Sequence, residues 1–347
     1  MRTRRRTLRR LCGGAALVLA GALTACLVSI PDLATSPLGE GGSEACAADL
    51  QRDPANCGAC GLTCDVRSTC LAGKCASKAL APTITQAHLL ALSAPYLYVA
   101  QRTPAQIVRI DVRTPDVAPT TVAKLSAPAT SLAVWRGQVL FVVGGALQTA
   151  LGDGGTIAAR GADNGVAAIS PSADRLFVAS SIARPIAACS SFDCQPSDAI
   201  NGTGAAKLVA ATEDNLFFVT RGPGDLRGCP LDAGCAPLDF AHTSGEVTAL
   251  SALGGEVWIG TRAGSVERGV ADASTRPVVQ VGAPVAAIAM DETSVWVASG
   301  PKLSRVARDT GAVTIVMDGL ASASDVALGP GVVYVADEDG GVSRAAR

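Results

Sequence analysis

The sequence predicts an all-β protein, a seven-bladed β-propeller with a small disulfide-rich N-terminal module. Three observations carry the prediction. First, a phrase of an apolar residue, an aromatic, Val or Ile and a small residue occurs seven times, with aromatics at Tyr98, Phe141, Phe177, Phe218, Trp258, Trp296 and Tyr334. The copies recur roughly every forty residues, the period of an architecture with one four-stranded sheet per copy. Second, six cysteines crowd into residues 46–75, a stretch without a single aromatic side chain. Third, an arginine-rich leader with an apolar core ends at Cys26.

The anchor phrases read as strands that are dry on both faces. Residues 139–143 (VLFVV) and 216–219 (LFFV) are apolar throughout, whereas a strand with one wet face would alternate. A blade held between two neighbours has no wet face. Before each anchor runs a second apolar phrase, such as Leu90-Ala91-Leu92, Ala287-Ile288-Ala289 and Val326-Ala327-Leu328. It reads as the inner strand, where small residues suit the crowded axis. After four anchors comes a third strand with an arginine at a similar offset: Arg109, Arg268, Arg305 and Arg344. A fourth apolar segment, as at residues 313–316, completes the blade. The last copy reaches only its third strand at Arg347, so Thr83-Ile84-Thr85 is expected to supply the missing strand. Closure removes the two bare sheet edges of an open ring. On these phrases residues 78–347 resemble the seven-bladed β-propellers, loosely the exported lactonase-like and NHL-like groups. The resemblance implies the fold and, without a catalytic signature, no activity.

Residues 1–25 stand outside the fold. Six arginines precede an apolar run from Leu11 to Ala25, the pattern of a signal peptide and too short to span a membrane comfortably. The run ends Leu23-Thr24-Ala25-Cys26, which resembles the bacterial lipoprotein cleavage box. That resemblance implies acylation of Cys26, cleavage before it and anchorage of the protein to the membrane. Leu27 after the lipidated cysteine, where an Asp would signal retention at the inner membrane, favours the outer membrane. Residues 26–45, rich in Ser, Gly and Pro, read as a tether. The chain carries 29 basic and 30 acidic side chains; removing the leader takes away six arginines and no acid, leaving a balance of −7. A mildly acidic surface disfavours nucleic acid and anionic headgroups as partners.

Residues 46–77 form the expected cysteine module, with Cys46, Cys57, Cys60, Cys64, Cys70 and Cys75. So short a stretch cannot build a core, so covalent links must hold it. Export makes three disulfides the first reading. Zinc is the alternative, since Cys57-Gly58-Ala59-Cys60 has ligand spacing; six cysteines, no histidine and export speak against it. The Asn56-Cys57-Gly58-Ala59-Cys60-Gly61 core is similar to the plant stigma-specific cysteine-rich family, which implies an extracellular disulfide module without enzymatic activity. Four further cysteines, Cys189 with Cys194 and Cys229 with Cys235, read as two local staples across outer hairpins.

Catalytic chemistry is hard to find. The connections between one blade's last strand and the next blade's first line one mouth of a propeller. They hold His88, Asp163, Asn164, His242, Glu246 and Asp325, the candidate binding residues. No serine elbow, phosphate loop or metal-ligand cluster appears, and no cofactor is implied. Sugar-binding faces need aromatic platforms, and aromatics make up only 3% of this chain. Trp258 and Trp296 are spent on packing, which leaves Trp135 as the one loop-adjacent indole. Two classes stay open: a non-catalytic scaffold with a protein partner in the cell envelope, and an exported hydrolase or lyase with its site on the axial mouth.

Overall fold

The computed structural model describes residues 49–53, 55–57, 69–71, 74–76, 80–81, 83–159, 165–182, 184–194, 198–220, 225–232, 235–243, 245–270 and 273–347. The leader, Cys26, the tether, Cys46, Cys60 and Cys64 lie outside these residues.

Among the described residues, seven antiparallel sheets of three or four strands follow one another along the chain, after a separate two-stranded hairpin. Blade 1 is a meander of Ala87–Ser93, Tyr96–Gln101, Gln106–Asp111 and Thr120–Lys124. The inner strands of the other six are Ser131–Trp135, Val166–Pro171, Ala206–Ala211, Val247–Leu253, Val285–Met290 and Ala323–Gly329. Each inner strand lies beside the next, and that of blade 7 lies beside that of blade 1, so the ring is closed.

The core is divided as the repeat requires. Seven of the apolar clusters among the described residues each sit between two neighbouring blades. Between blades 5 and 6, Trp258 packs with Val285, Ile288, Val295 and Val297. Between blades 7 and 1, Tyr334 and Ala336 pack with Leu90, Leu97 and Val99. Each buried aromatic removes about 150–250 Å² from water, worth about 4–6 kcal/mol as an upper bound.

The strand pairing corrects the anchors of two blades. Tyr98 lies opposite Ala91, and Tyr334 opposite Ala327. At the same place Leu140 lies opposite Ala133, and Phe217 opposite Ala210. The true anchors are therefore Leu140 and Phe217, and each aromatic read from sequence sits one residue late. Parity decides which neighbour a side chain meets. Tyr98, Leu140, Phe177, Phe217, Trp258, Trp296 and Tyr334 all pack towards the following blade. Phe141 and Phe218 face the preceding blade instead. In blade 2 the register is set by the turn, where Arg136 (φ 48°) and Gly137 (φ 76°) both adopt positive φ. That is the mirror-image two-residue hairpin turn, whose twist matches the strands it joins.

The third-strand arginines have a common place. Arg109, Arg268, Arg305 and Arg344 lie directly across the strand pair from Tyr98, Trp258, Trp296 and Tyr334.

Ring closure differs from expectation in its details. Blade 7 has three strands, Ala323–Gly329, Val332–Asp337 and Gly341–Ala346. Thr83-Ile84-Thr85 does not form a fourth. The Ile84 N–H turns back to Ala81 O at 3.0 Å, and the bond to the open edge comes from Leu80, whose N–H donates to Val342 O at 2.6 Å. Pro82 has no N–H to offer a ladder. Leu80, Ala81 and Ile84 are nevertheless buried against Tyr334, Ala336 and Val342. Gly341 (φ 87°) permits this, because a Cβ there would strike Ile84 O.

Disulfides join Cys57 to Cys70, Cys189 to Cys194 and Cys229 to Cys235. Cys70 lies in a hairpin of Thr69–Leu71 and Lys74–Ala76, opposite Cys75. Cys189 and Cys229 occupy the same place in blades 3 and 4, opposite Leu176 and Leu216. Replacing both Cys229 and Cys235 by serine should destabilise the fold by roughly 2 kcal/mol on the chain-entropy model. The melting temperature in non-reducing buffer checks this. A melt equal to the wild type's would show the staple to be dispensable.

Candidate functional site

Of the six residues assigned to the mouth, the structure describes the side chains of His88, Glu246 and Asp325, and each is committed to contacts of its own. The inner strands of blades 1 and 7 begin three residues earlier than their apolar phrases suggest, which moves His88 and Asp325 from loops onto strands. In six blades the register shifts near the start of the inner strand, leaving one residue bulged: His88, Ala167, Lys207, Thr248, Ala286 or Ser324. A bulge re-aims its side chain. Here polar bulge residues reach across to the next blade. His88 Nε2 lies 2.7 Å from Ala129 O, Thr248 Oγ1 donates to Val285 O at 2.5 Å, and Ser324 Oγ donates to Ala87 O at 3.2 Å. His88 therefore carries its proton on Nε2. Its ring is buried, and that burial pushes the imidazole below the usual histidine range, so it is neutral at pH 7.

Asp325 follows the bulge of blade 7 and makes a second kind of stitch. Its Oδ2 accepts from the Leu90 N–H of blade 1 at 2.7 Å, and its Oδ1 from the Val326 N–H at 2.8 Å. Ser131 does the same between blades 2 and 3, accepting from the Ile169 N–H at 3.3 Å. Burial pushes the Asp325 carboxyl up to about 7, against the two N–H bonds that favour its charged form.

Glu246 lies just before the inner strand of blade 5. It accepts from Arg262 Nε at 2.7 Å and sits 3.7 Å from Lys207 Nζ. The Arg262 guanidinium holds its carboxyl below the usual range. His242 ends the outer strand of blade 4, Leu238–His242. Asp163 and Asn164 lie outside the described residues. Among the described residues no group of three His, Cys, Asp or Glu side chains is placed to hold a metal ion.

Trp135 is not an open platform. It is buried, its Nε1 donates to Ser172 O at 3.0 Å, and Phe192 meets it edge-on with ring centroids 5.1 Å apart. The Arg136 guanidinium covers it at 4.3 Å from the ring centroid.

Sequence reading missed a polar network on the opposite face, at the hairpins between first and second strands. Asp291 accepts from Trp296 Nε1 (3.0 Å), the Thr293 and Ser294 N–H groups (2.8 Å each) and Arg347 Nε (2.8 Å). Burial alone would raise its carboxyl; the hydrogen bonds outweigh that and hold it well below the usual range. Arg308 donates to Asp291 O and to Glu256 Oε2, and Glu256 also pairs with Arg268. The network links blades 5, 6 and 7. Its only trace in the sequence is an acid in a turn, which is too common to single out.

No protein-family model matches the chain, and no curated protein matches it in sequence. Solved structures do match. Virginiamycin B lyase from Staphylococcus aureus aligns over 78% of this chain and 98% of its own, at 12% identity and TM-score 0.63. Hydrazine synthase from Kuenenia stuttgartiensis aligns over 77% and 97%, at 11% identity and TM-score 0.62. The computationally designed protein Ika8 aligns over 78% and 98%, at 11% identity and TM-score 0.55. At such identities the likeness shows the β-propeller fold and nothing of activity.

Proposed function

We propose that the chain is an exported lipoprotein, acylated at Cys26 and held at the outer membrane, whose propeller is a non-catalytic interaction scaffold for a protein partner in the envelope. One observation carries the scaffold reading. The polar side chains that a mouth-centred enzyme would use are already committed: His88 to Ala129 O, Asp325 to two backbone N–H groups, Glu246 to Arg262. General acid–base and metal chemistry need titratable groups converging in one pocket; here His88 joins blades 1 and 2, Asp325 joins blades 7 and 1, and Glu246 pairs within blade 5. The leader and the Leu23-Thr24-Ala25-Cys26 box support the anchor.

Two measurements test the proposal. Cells fed a palmitate analogue should label the wild type and not Cys26→Ala, and the variant should leave the membrane fraction. Equal label in both would end the lipoprotein reading. The purified soluble part should show no turnover in a hydrolase and lyase screen with and without divalent cations. Robust turnover lost on substituting Glu246 or Arg262 would replace the scaffold with an enzyme.

A further inference from the structure

Two exposed apolar side chains lie two residues apart on one edge strand. Val313 is 43% and Ile315 52% exposed, and both belong to Val313–Asp318, the outer strand of blade 6. The cross-strand rows account for this. Val295, Val306 and Val313 lie side by side across the sheet, as do Val297, Ser304 and Ile315. Val295, Val297 and Val306 are buried against blade 5. The two rows continue to the rim, where radial blades diverge, and there Val313 and Ile315 are left uncovered.

The backbone is open at the same two residues. The Ala307 N–H donates to Ala312 O (2.9 Å), so these two residues form a hydrogen-bonded pair. Bonded and non-bonded pairs alternate along an antiparallel ladder. Arg305 and Thr314 are therefore the next bonded pair, and the N–H and C=O groups of Val313 and Ile315 point away from the blade. A bulge at Val316 ends this flat stretch. Sheet edges are ordinarily guarded by charge, proline, shortness or a cover. Among the described residues, the outer strand of blade 1, Thr120–Lys124, buries both its apolar residues. Asp239 lies in that of blade 4, Pro277 in that of blade 5, and that of blade 2 is only Ala158–Ala159. Leu80 and Ile84 cover the edge of blade 7. Residues 311–317 carry neither charge nor proline.

We propose that this strand pairs with the same strand of a second copy of the chain, antiparallel and two-fold symmetric about Thr314. Of the registers that bring outward backbone groups together, this one uses both open residues of both copies. Val313 of each protomer faces Ile315 of its partner, each such pair exchanging both its N–H···O bonds. On one face of the joined sheet Val lies beside Ile at either end; on the other, Thr314 lies beside Thr314. Branched apolar pairs and Thr–Thr pairs are among those that stabilise a sheet. A symmetric register sets each residue near its own copy, so any charge here would meet a like charge; residues 311–317 offer none. The contact is smaller than the ~1,200 Å² of a standard interface, so the dimer is weak and forms at high local concentration.

The test uses the chain from residue 26 onward with Cys26→Ala, which leaves it without a lipid. Sedimentation velocity from about 1 µM to about 1 mM should show monomer giving way to dimer. Ile315→Lys should weaken the dimer about tenfold and, the site being exposed, leave the melting temperature of the monomer unchanged. Thr314→Cys reads the register. Facing residues of a non-bonded pair have Cα atoms about 4.5 Å apart, within disulfide reach. Mild oxidation should therefore link Thr314→Cys to itself, and should not link Val313→Cys, which faces a different residue. A monomer at every concentration, an Ile315→Lys dimer as tight as the wild type's, or equal cross-linking of the two cysteine variants would each overturn the proposal. So would an edge that stays unpaired between copies and gains amide protection only when another envelope protein is added; the strand would then belong to that protein.

Discussion

Trp296→Ala is expected to lower stability by about 3–5 kcal/mol, the usual range for emptying a large aromatic site. At this chain length that corresponds to a fall of about 10 °C in melting temperature. Trp296 is almost wholly buried and packs, with Leu303 of its own blade, against Val326, Val333 and Val335 of blade 7. Its Nε1 also donates to Asp291, so the alanine removes one of the bonds that keep that carboxylate ionised. Trp296→Phe should fall between the two, retaining most of the apolar contact but not the N–H. Because the Asp291 carboxyl is depressed, its contribution is present above the ordinary value near 4 and is lost as the pH falls further. The difference between wild type and Trp296→Phe should therefore shrink in strong acid. Thermal melts at neutral and acid pH check both statements. An alanine variant within 1 kcal/mol of the wild type would mean the anchors do not hold the blades together.

Ile84→Asp is expected to open the ring, with a loss of about 3–5 kcal/mol and aggregation on heating. Ile84 is buried against blade 7 although it belongs to no strand. A carboxylate there is desolvated without a partner, and the edge of Gly341–Ala346 loses part of its cover. Melting temperature and light scattering read the effect. A melt like the wild type's would show residues 80–84 to be a linker laid on the surface.

The blade count was legible because it depends only on how often an apolar phrase recurs. Each copy must present an apolar strand to both neighbours, so the phrase recurs whether or not its register is known. Register was not legible, for the same reason. A strand wet on one face alternates, and a slip of one residue shows as a misplaced polar group. A strand dry on both faces carries no such mark, so Phe141 and Phe218 looked like anchors although Leu140 and Phe217 hold that position. The turn at Arg136 and Gly137 decides the matter in blade 2, through backbone angles. The mouth residues were misplaced by a related effect. A bulge adds one residue without changing the apolar phrase after it, so His88 and Asp325 read as loop positions while the chain had already entered the strand.

By itself the sequence determined the all-β class, the seven copies and the cysteine pairs that are close in sequence. Each is a local property, set by side chains within one repeat or one short loop. Only the tertiary structure decided how the ring closes, which neighbour each anchor meets, and that His88 and Asp325 bind adjacent blades. The Leu90–Asp325 bond joins residues 235 positions apart in the chain. No pattern within a period of about forty residues specifies such a contact; it exists because seven similar blades, packed face to face, bring the last against the first.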